Sequence, residues 1–260
     1  MQRIYKSYVL DLTLVVVCLY SVFFILHKFD GGKIPFWDFH VHYCAAKNFY
    51  MGYFPYGMNV LDNCLHPNIK LNPNFPPLTL EFLKYLGTLN LSAASFLWIC
   101  FEIFSLFSIF YLFKKVFKFD YEIRNFFIFI FSFGATIFIS FLSGNLSLIL
   151  YGLLSLGLIF LYQKKDNYYY LIVLFVSFFK FYYLSFLVIP FYLFGIKSLK
   201  KISFVVFLFI FVQYLSYIRN PELTLAFLEV IQGKYQDVLP TRMLTGTGLY
   251  SIIEKFPWVI

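Results

Sequence analysis

The sequence predicts an all-α polytopic membrane protein, a single transmembrane domain over residues 1–260. Composition predicts it first: 61% of residues are hydrophobic and 13% charged, against about 25% charged in soluble domains. Apolar runs long enough to cross ~30 Å of hydrocarbon then recur along the chain. Finally, the lysines and arginines gather at the ends of those runs instead of interrupting them.

Taken in order, Arg3 and Lys6 precede an apolar run at 8–26 with no small-residue cleavage site, which predicts a retained first span with a cytoplasmic N-terminus. A polar loop at 27–90 follows, holding Asp38, His40, His42, Asp62 and His66. Within it Pro76-Pro77 opens a short, moderately apolar segment carrying Glu81 and Lys84. Proline suits a first helical turn, and the segment is too short and too charged to span, so an interfacial helix is expected.

Further spans are expected at 91–113, 126–142 and 146–162, the last two separated by a tight break at Ser143-Gly144-Asn145. From 168 to 196 the chain is apolar except for Lys180. Two short arms meeting near Lys180 would keep the flanking lysines on one side, so a hairpin is expected there. A span at 202–218 leads to an outer C-terminal segment at 219–260.

This layout gives the four cytoplasmic segments 11 of the 21 lysines and arginines but three of the 13 acids. The cytoplasmic (inner) membrane is the expected location, and because short basic loops orient membrane proteins the polar loop is expected on the extracytoplasmic side. The net charge of +8 suits membrane lipids with anionic headgroups. Nucleic acid is excluded as a partner, because the bases are scattered at helix ends and form no stripe.

Cys18 and Cys100 lie in apolar runs and suit plain packing. Cys44 and Cys64 fall in the polar loop, where a disulfide and two free thiols are both open.

Asp38 lies among aromatic residues at the expected membrane interface, where a carboxylate can act as general base or be a solvated loop acid. His42, four residues on, shares its helical face. Two candidate ligands are too few for a metal site, and no metal is expected. Glu102 and Lys180 are ionisable groups within apolar runs and therefore functional candidates. At 1.5 Å per residue they are within reach of each other if the hairpin is re-entrant. Lys180, beside Phe181, Tyr182 and Tyr183, is placed either to bind a lipid-linked phosphate or to reach the interface as an amphipathic side chain. No phosphate-cradling glycine loop, zinc spacing or nucleophile elbow is present.

The motifs Asp38-Phe39, Tyr43-Cys44-Ala45-Ala46, Gly52, Pro55-Tyr56, Asn74-Phe75-Pro76-Pro77-Leu78, Gly144-Asn145 and Lys180 occur in that order. In order and spacing the chain resembles the polyprenyl-phosphate-sugar-dependent glycosyltransferases of the GT-C superfamily. It is most like glycosyltransferase family 87, the mannosyltransferase-like group. The resemblance implies a GT-C-like helical bundle whose large first extracytoplasmic loop carries short interfacial helices. It implies an inverting transfer of a hexose, mannose by family precedent, from a polyprenyl phosphate sugar donor to a lipid or glycan acceptor, with no cofactor. Asp38 takes the position of the presumed base. Lys180, with Tyr182 and Tyr183, takes the donor phosphate and lipid, and His42, Tyr43, Tyr56, Glu81, Glu102 and Asn145 are supporting candidates. Members of that family usually continue for several more spans, so against the resemblance the chain is expected to be either a fragment or a shortened member.

Two other functions fit the composition. A lipid or small-solute transporter would use Glu102 and Lys180 along its path, though internal repeats common in transporters are not evident. A non-catalytic membrane subunit is the third.

Overall fold

A computed structural model describes residues 16, 19–20, 36–56, 64, 73–117, 130 and 137–231. Among these, every regular element is helical. The chain forms α1 (Trp37–Tyr50), α2 (Pro77–Gly87), α3 (Leu91–Phe117), α4 (Leu146–Tyr162) and α5 (Asp166–Phe179). After α5 come a 3₁₀ segment (Phe181–Leu187), α6 (Val188–Phe194), a second 3₁₀ turn (Gly195–Ser198), α7 (Leu199–Arg219) and α8 (Pro221–Ile231). Two stretches, Leu91–Val116 and Phe181–Arg219, are long and apolar enough to cross a membrane. Most of the expected spans at 8–26 and 126–142, and the whole segment beyond 231, lie outside the described residues.

Local chemistry sets the boundaries. Pro77 opens α2 at a position where its missing N–H costs nothing. The Asn145 side chain caps α4 by accepting from the Ser147 N–H at 2.9 Å, satisfying one of the orphan donors of the first turn. Lys180 ends α5 in an extended conformation, φ −147° and ψ 111°, which interrupts the hydrogen-bond ladder at the expected turn of the hairpin.

The return arm packs back on α5. Tyr169 Oη donates to the Phe186 carbonyl at 2.6 Å. Further on, Lys201 Nζ meets the Asp166 carboxylate at 2.6 Å. That contact puts the lysines before α5 and those at the start of α7 at the same end of the bundle. α7 then runs parallel to α5, with Phe178 stacked on Phe209 at 5.9 Å.

The polar region, where short interfacial helices are expected, is more deeply buried than an interfacial position implies. Residues 37–50 form a helix with Phe39, Tyr43, Cys44, Ala45 and Ala46 essentially inaccessible. α1 packs against α2 and α3 as a core element. Cys44 is bonded to Cys64, closing a loop of 20 residues, so the open choice at these cysteines resolves as a disulfide. The C-terminal segment also contains structure: α8 lays Phe227 against Tyr56 at 6.3 Å. α3 and α4 approach so closely that a Cβ on Gly152 would collide with the Ser105 side chain.

Candidate functional site

The site lies where the first turns of α1 and α4 meet the end of α5. Phe36, ahead of α1, holds a left-handed conformation (φ 68°), unusual for a bulky side chain. Its N–H donates to the Leu142 carbonyl at 2.9 Å, which ties the start of α1 to the turn preceding α4. Gly144 makes that turn with φ 68°, and a Cβ there would lie 2.6 Å from Phe39 Cβ. Glycine is required at this contact on both counts. Trp98 of α3 locks it from the third side, its indole N–H donating to the Gly144 carbonyl at 3.1 Å.

This junction aims a hydrogen-bonded run that passes through the Ser147 backbone N–H. Because Asn145 Oδ1 is committed to capping α4, its Nδ2 faces away and donates to Asp38 Oδ2 at 2.9 Å. Only an oxygen can accept the cap bond, so the network itself fixes the amide orientation. Two residues along α4, Ser147 Oγ accepts from Lys180 Nζ at 2.7 Å. A carboxylate on α1 and an ammonium at the end of α5 are thus joined through the N-terminus of α4. Asp38, Asn145, Ser147 and Lys180 are each half-buried, so they remain open to a solute.

His42 flanks this run, one turn after Asp38. Its ring packs 5.2 Å from Phe75 and 5.6 Å from Trp98. Burial, with the positive charge of Lys180 adding to it, pushes the imidazole from 6.5 down to about 3. It is therefore neutral at physiological pH. Its Nδ1 is buried without a hydrogen-bond partner among the described residues.

The other sequence candidates divide. Tyr183 is fully buried and Tyr182, partly exposed, lies 4.6 Å from it. Tyr43 and Tyr56 are structural ties: Tyr43 Oη donates to the Leu89 carbonyl at 2.9 Å and Tyr56 Oη to the Phe75 carbonyl at 3.0 Å. Burial raises the Tyr56 hydroxyl far above its ordinary range. Glu81 is engaged by Lys84 at 2.8 Å.

The Glu102–Lys180 pair is not made. Lys180 is held by Ser147, while both Glu102 carboxyl oxygens are buried without a partner among the described residues. The Trp98 N–H, one turn before Glu102, is spent on Gly144.

Sequence reasoning missed Ser147 and Trp98. A Gly-Asn-x-Ser string ahead of an apolar helix is a legible capping signal. Nothing in that string says that the serine would meet a lysine 33 positions later.

An apolar groove of about 680 Å³ opens beside the site between α2, α3, α4 and α5. Phe82, Phe101, Ile149 and Phe179 line it, and Trp98 and Leu146 form its end nearest the network. Comparison with protein-family models, with curated proteins and with solved structures finds no match for this chain.

Proposed function

We propose that this protein is a polytopic enzyme of the cytoplasmic membrane that transfers a hexose from a polyprenyl phosphate to a lipid or glycan hydroxyl on the extracytoplasmic side. The observation that carries the proposal is the connected run Asp38–Asn145–Ser147–Lys180. It joins a carboxylate and an ammonium on either side of one helix N-terminus, which suits a proton acceptor and a phosphate partner.

In this mechanism the acceptor hydroxyl gives its proton to the Asp38 carboxylate as its oxygen bonds to the anomeric carbon. The bond from that carbon to the phosphate oxygen breaks on the opposite face, and its electron pair leaves with the polyprenyl phosphate. Attack and departure on opposite faces invert the configuration. Lys180 and the N-terminal dipole of α4 stabilise the departing anion. Neutral His42, one turn after Asp38, adds no charge beside Lys180. The isoprenoid chain lies in the apolar groove bounded by Trp98 and Leu146.

The topology has two supports. The lysines of the α4–α5 turn and of α7 share one end through Lys201 and Asp166, which suits the cytoplasmic face. The Cys44–Cys64 disulfide lies in the α1 region, which suits an oxidising compartment.

Glu102 favours a second function. A buried, unpartnered carboxyl in an apolar helix is what a lipid or solute transporter would place on its path. Radiolabel transfer separates the two. The purified protein should move label from a polyprenyl phosphate hexose to an acceptor, and Asp38→Asn should lower the rate by about 10²–10⁴-fold. Full activity in Asp38→Asn, or label that crosses the bilayer without forming a glycoside, would overturn the assignment.

A further inference from the structure

A second groove lies at the other end of the bundle. It occupies about 530 Å³ between α5 and α7. Its walls are apolar, with Leu174, Phe204 and Leu208 among them, and its mouth carries Asn167, Lys200 and Lys201. Between 200 and 208 it extends about 12 Å along α7. The mouth is about 20 Å of helix away from Lys180, counting 14 residues of α5 at the α-helical rise.

The charge at the mouth is unbalanced. Lys201 is fixed by Asp166 at 2.6 Å and Asn167 at 2.9 Å, with its ammonium 5.8 Å from the Tyr170 ring centre. Lys200 is exposed and meets no carboxylate among the described residues. Lys164, Lys165 and Lys197 stand in the flanking turns, and Asp166 is the one acid between 163 and 201. A net positive rim therefore tops an apolar, laterally open slot.

We infer that this groove is a binding site for an anionic phospholipid. An acyl chain lies along the walls, and the headgroup phosphate meets Lys200 and Lys197 while Lys201 and Asn167 shape the rim. A free phosphate would gain nothing from the walls. A zwitterionic lipid would bring its own cation up to the lysines. Selection for net negative charge follows, each lysine adding about fivefold in preference. The inference rests on the membrane placement proposed above but not on the glycosyl transfer.

Phe204→Trp puts a reporter in the groove at a position 63% exposed, where a larger ring is accommodated. The full-length variant, reconstituted in vesicles, is titrated with brominated phosphatidylglycerol and with brominated phosphatidylcholine, and the parent's tryptophan signal is subtracted. Phosphatidylglycerol should quench at several-fold lower mole fraction, and adding Lys200→Gln with Lys197→Gln should bring the two lipids together. Equal quenching by both lipids, or a preference that survives loss of both lysines, overturns the site while leaving the membrane placement standing. Quenching by neither lipid overturns both.

Discussion

The two ends of this bundle are built on different terms. In α1 most side chains are buried, and contacts reach far along the chain: Asn145 to Asp38 across 107 residues, Thr79 to Phe178 across 99 and Trp98 to Gly144 across 46. In α7, Val205 is the one buried residue, while Phe204, Phe207, Ile210 and Tyr214 lie well exposed. The first region is specified by hydrogen bonds and close fits with few substitutes. The second turns apolar side chains outward with few long-range contacts, which suits the membrane placement proposed above. A fold can thus keep a defined chemical site on a scaffold whose outer surface is nearly free in sequence.

Substitutions should break the first region and spare the second. The largest stability effect is expected at the Cys44–Cys64 bridge. A crosslink over 20 residues contributes about 3 kcal/mol in the chain-entropy account. Cys64→Ser should lower the unfolding free energy in detergent by that order, and reduction of the wild type should match it.

Next is Gly144→Ala. The left-handed backbone and the Phe39 contact at 2.6 Å together predict a loss of roughly 1–3 kcal/mol. Thermal denaturation should show the loss, and transfer should fall with it because Asn145 is the next residue.

His42 gives a smaller, pH-dependent effect. The unfolded chain binds a proton near pH 6.5 and the folded chain near pH 3. Between these values the unfolded state holds more protons, so stability rises with pH there and is flat above 6.5. On acidification the loss is roughly 1.4 kcal/mol per pH unit at most. His42→Gln should remove that component from the pH dependence of melting. Smallest is Phe207→Leu on α7, 63% exposed, expected within about 0.5 kcal/mol of the parent.

The same contrast decides what was legible in the sequence. α4 is expected at 146–162 and occupies Leu146–Tyr162, because an asparagine cap and a run of apolar residues are local signals. The Pro76-Pro77 start of α2 and the break at Lys180 are local too. α1 was not legible as a core helix. Its Asp, His, Lys and Asn residues read as a polar stretch at the membrane interface, while its burial comes from α2, α3 and the α4 turn, which close over it from distant sequence. α8 carried a signal, Asn220-Pro221-Glu222 with an acid in the first turn, that helix-start rules would take up. In the site, Asp38, Asn145 and Lys180 stand out as polar residues among apolar ones. Their connection through Ser147 depends on bringing α1, α4 and α5 together, and no spacing encodes that.

The central claim is that one end of this connected run handles a proton and the other an anion. Steady-state transfer from a polyprenyl phosphate hexose, compared for Asp38→Asn and Lys180→Gln, tests it most directly. The claim predicts that Asp38→Asn collapses kcat by about 10²-fold or more with donor KM little changed. For Lys180→Gln the donor KM should rise as well, because its contact to the phosphate exists before the chemical step. Full turnover in Asp38→Asn, or a Lys180→Gln enzyme with unaltered donor KM and kcat, would contradict it.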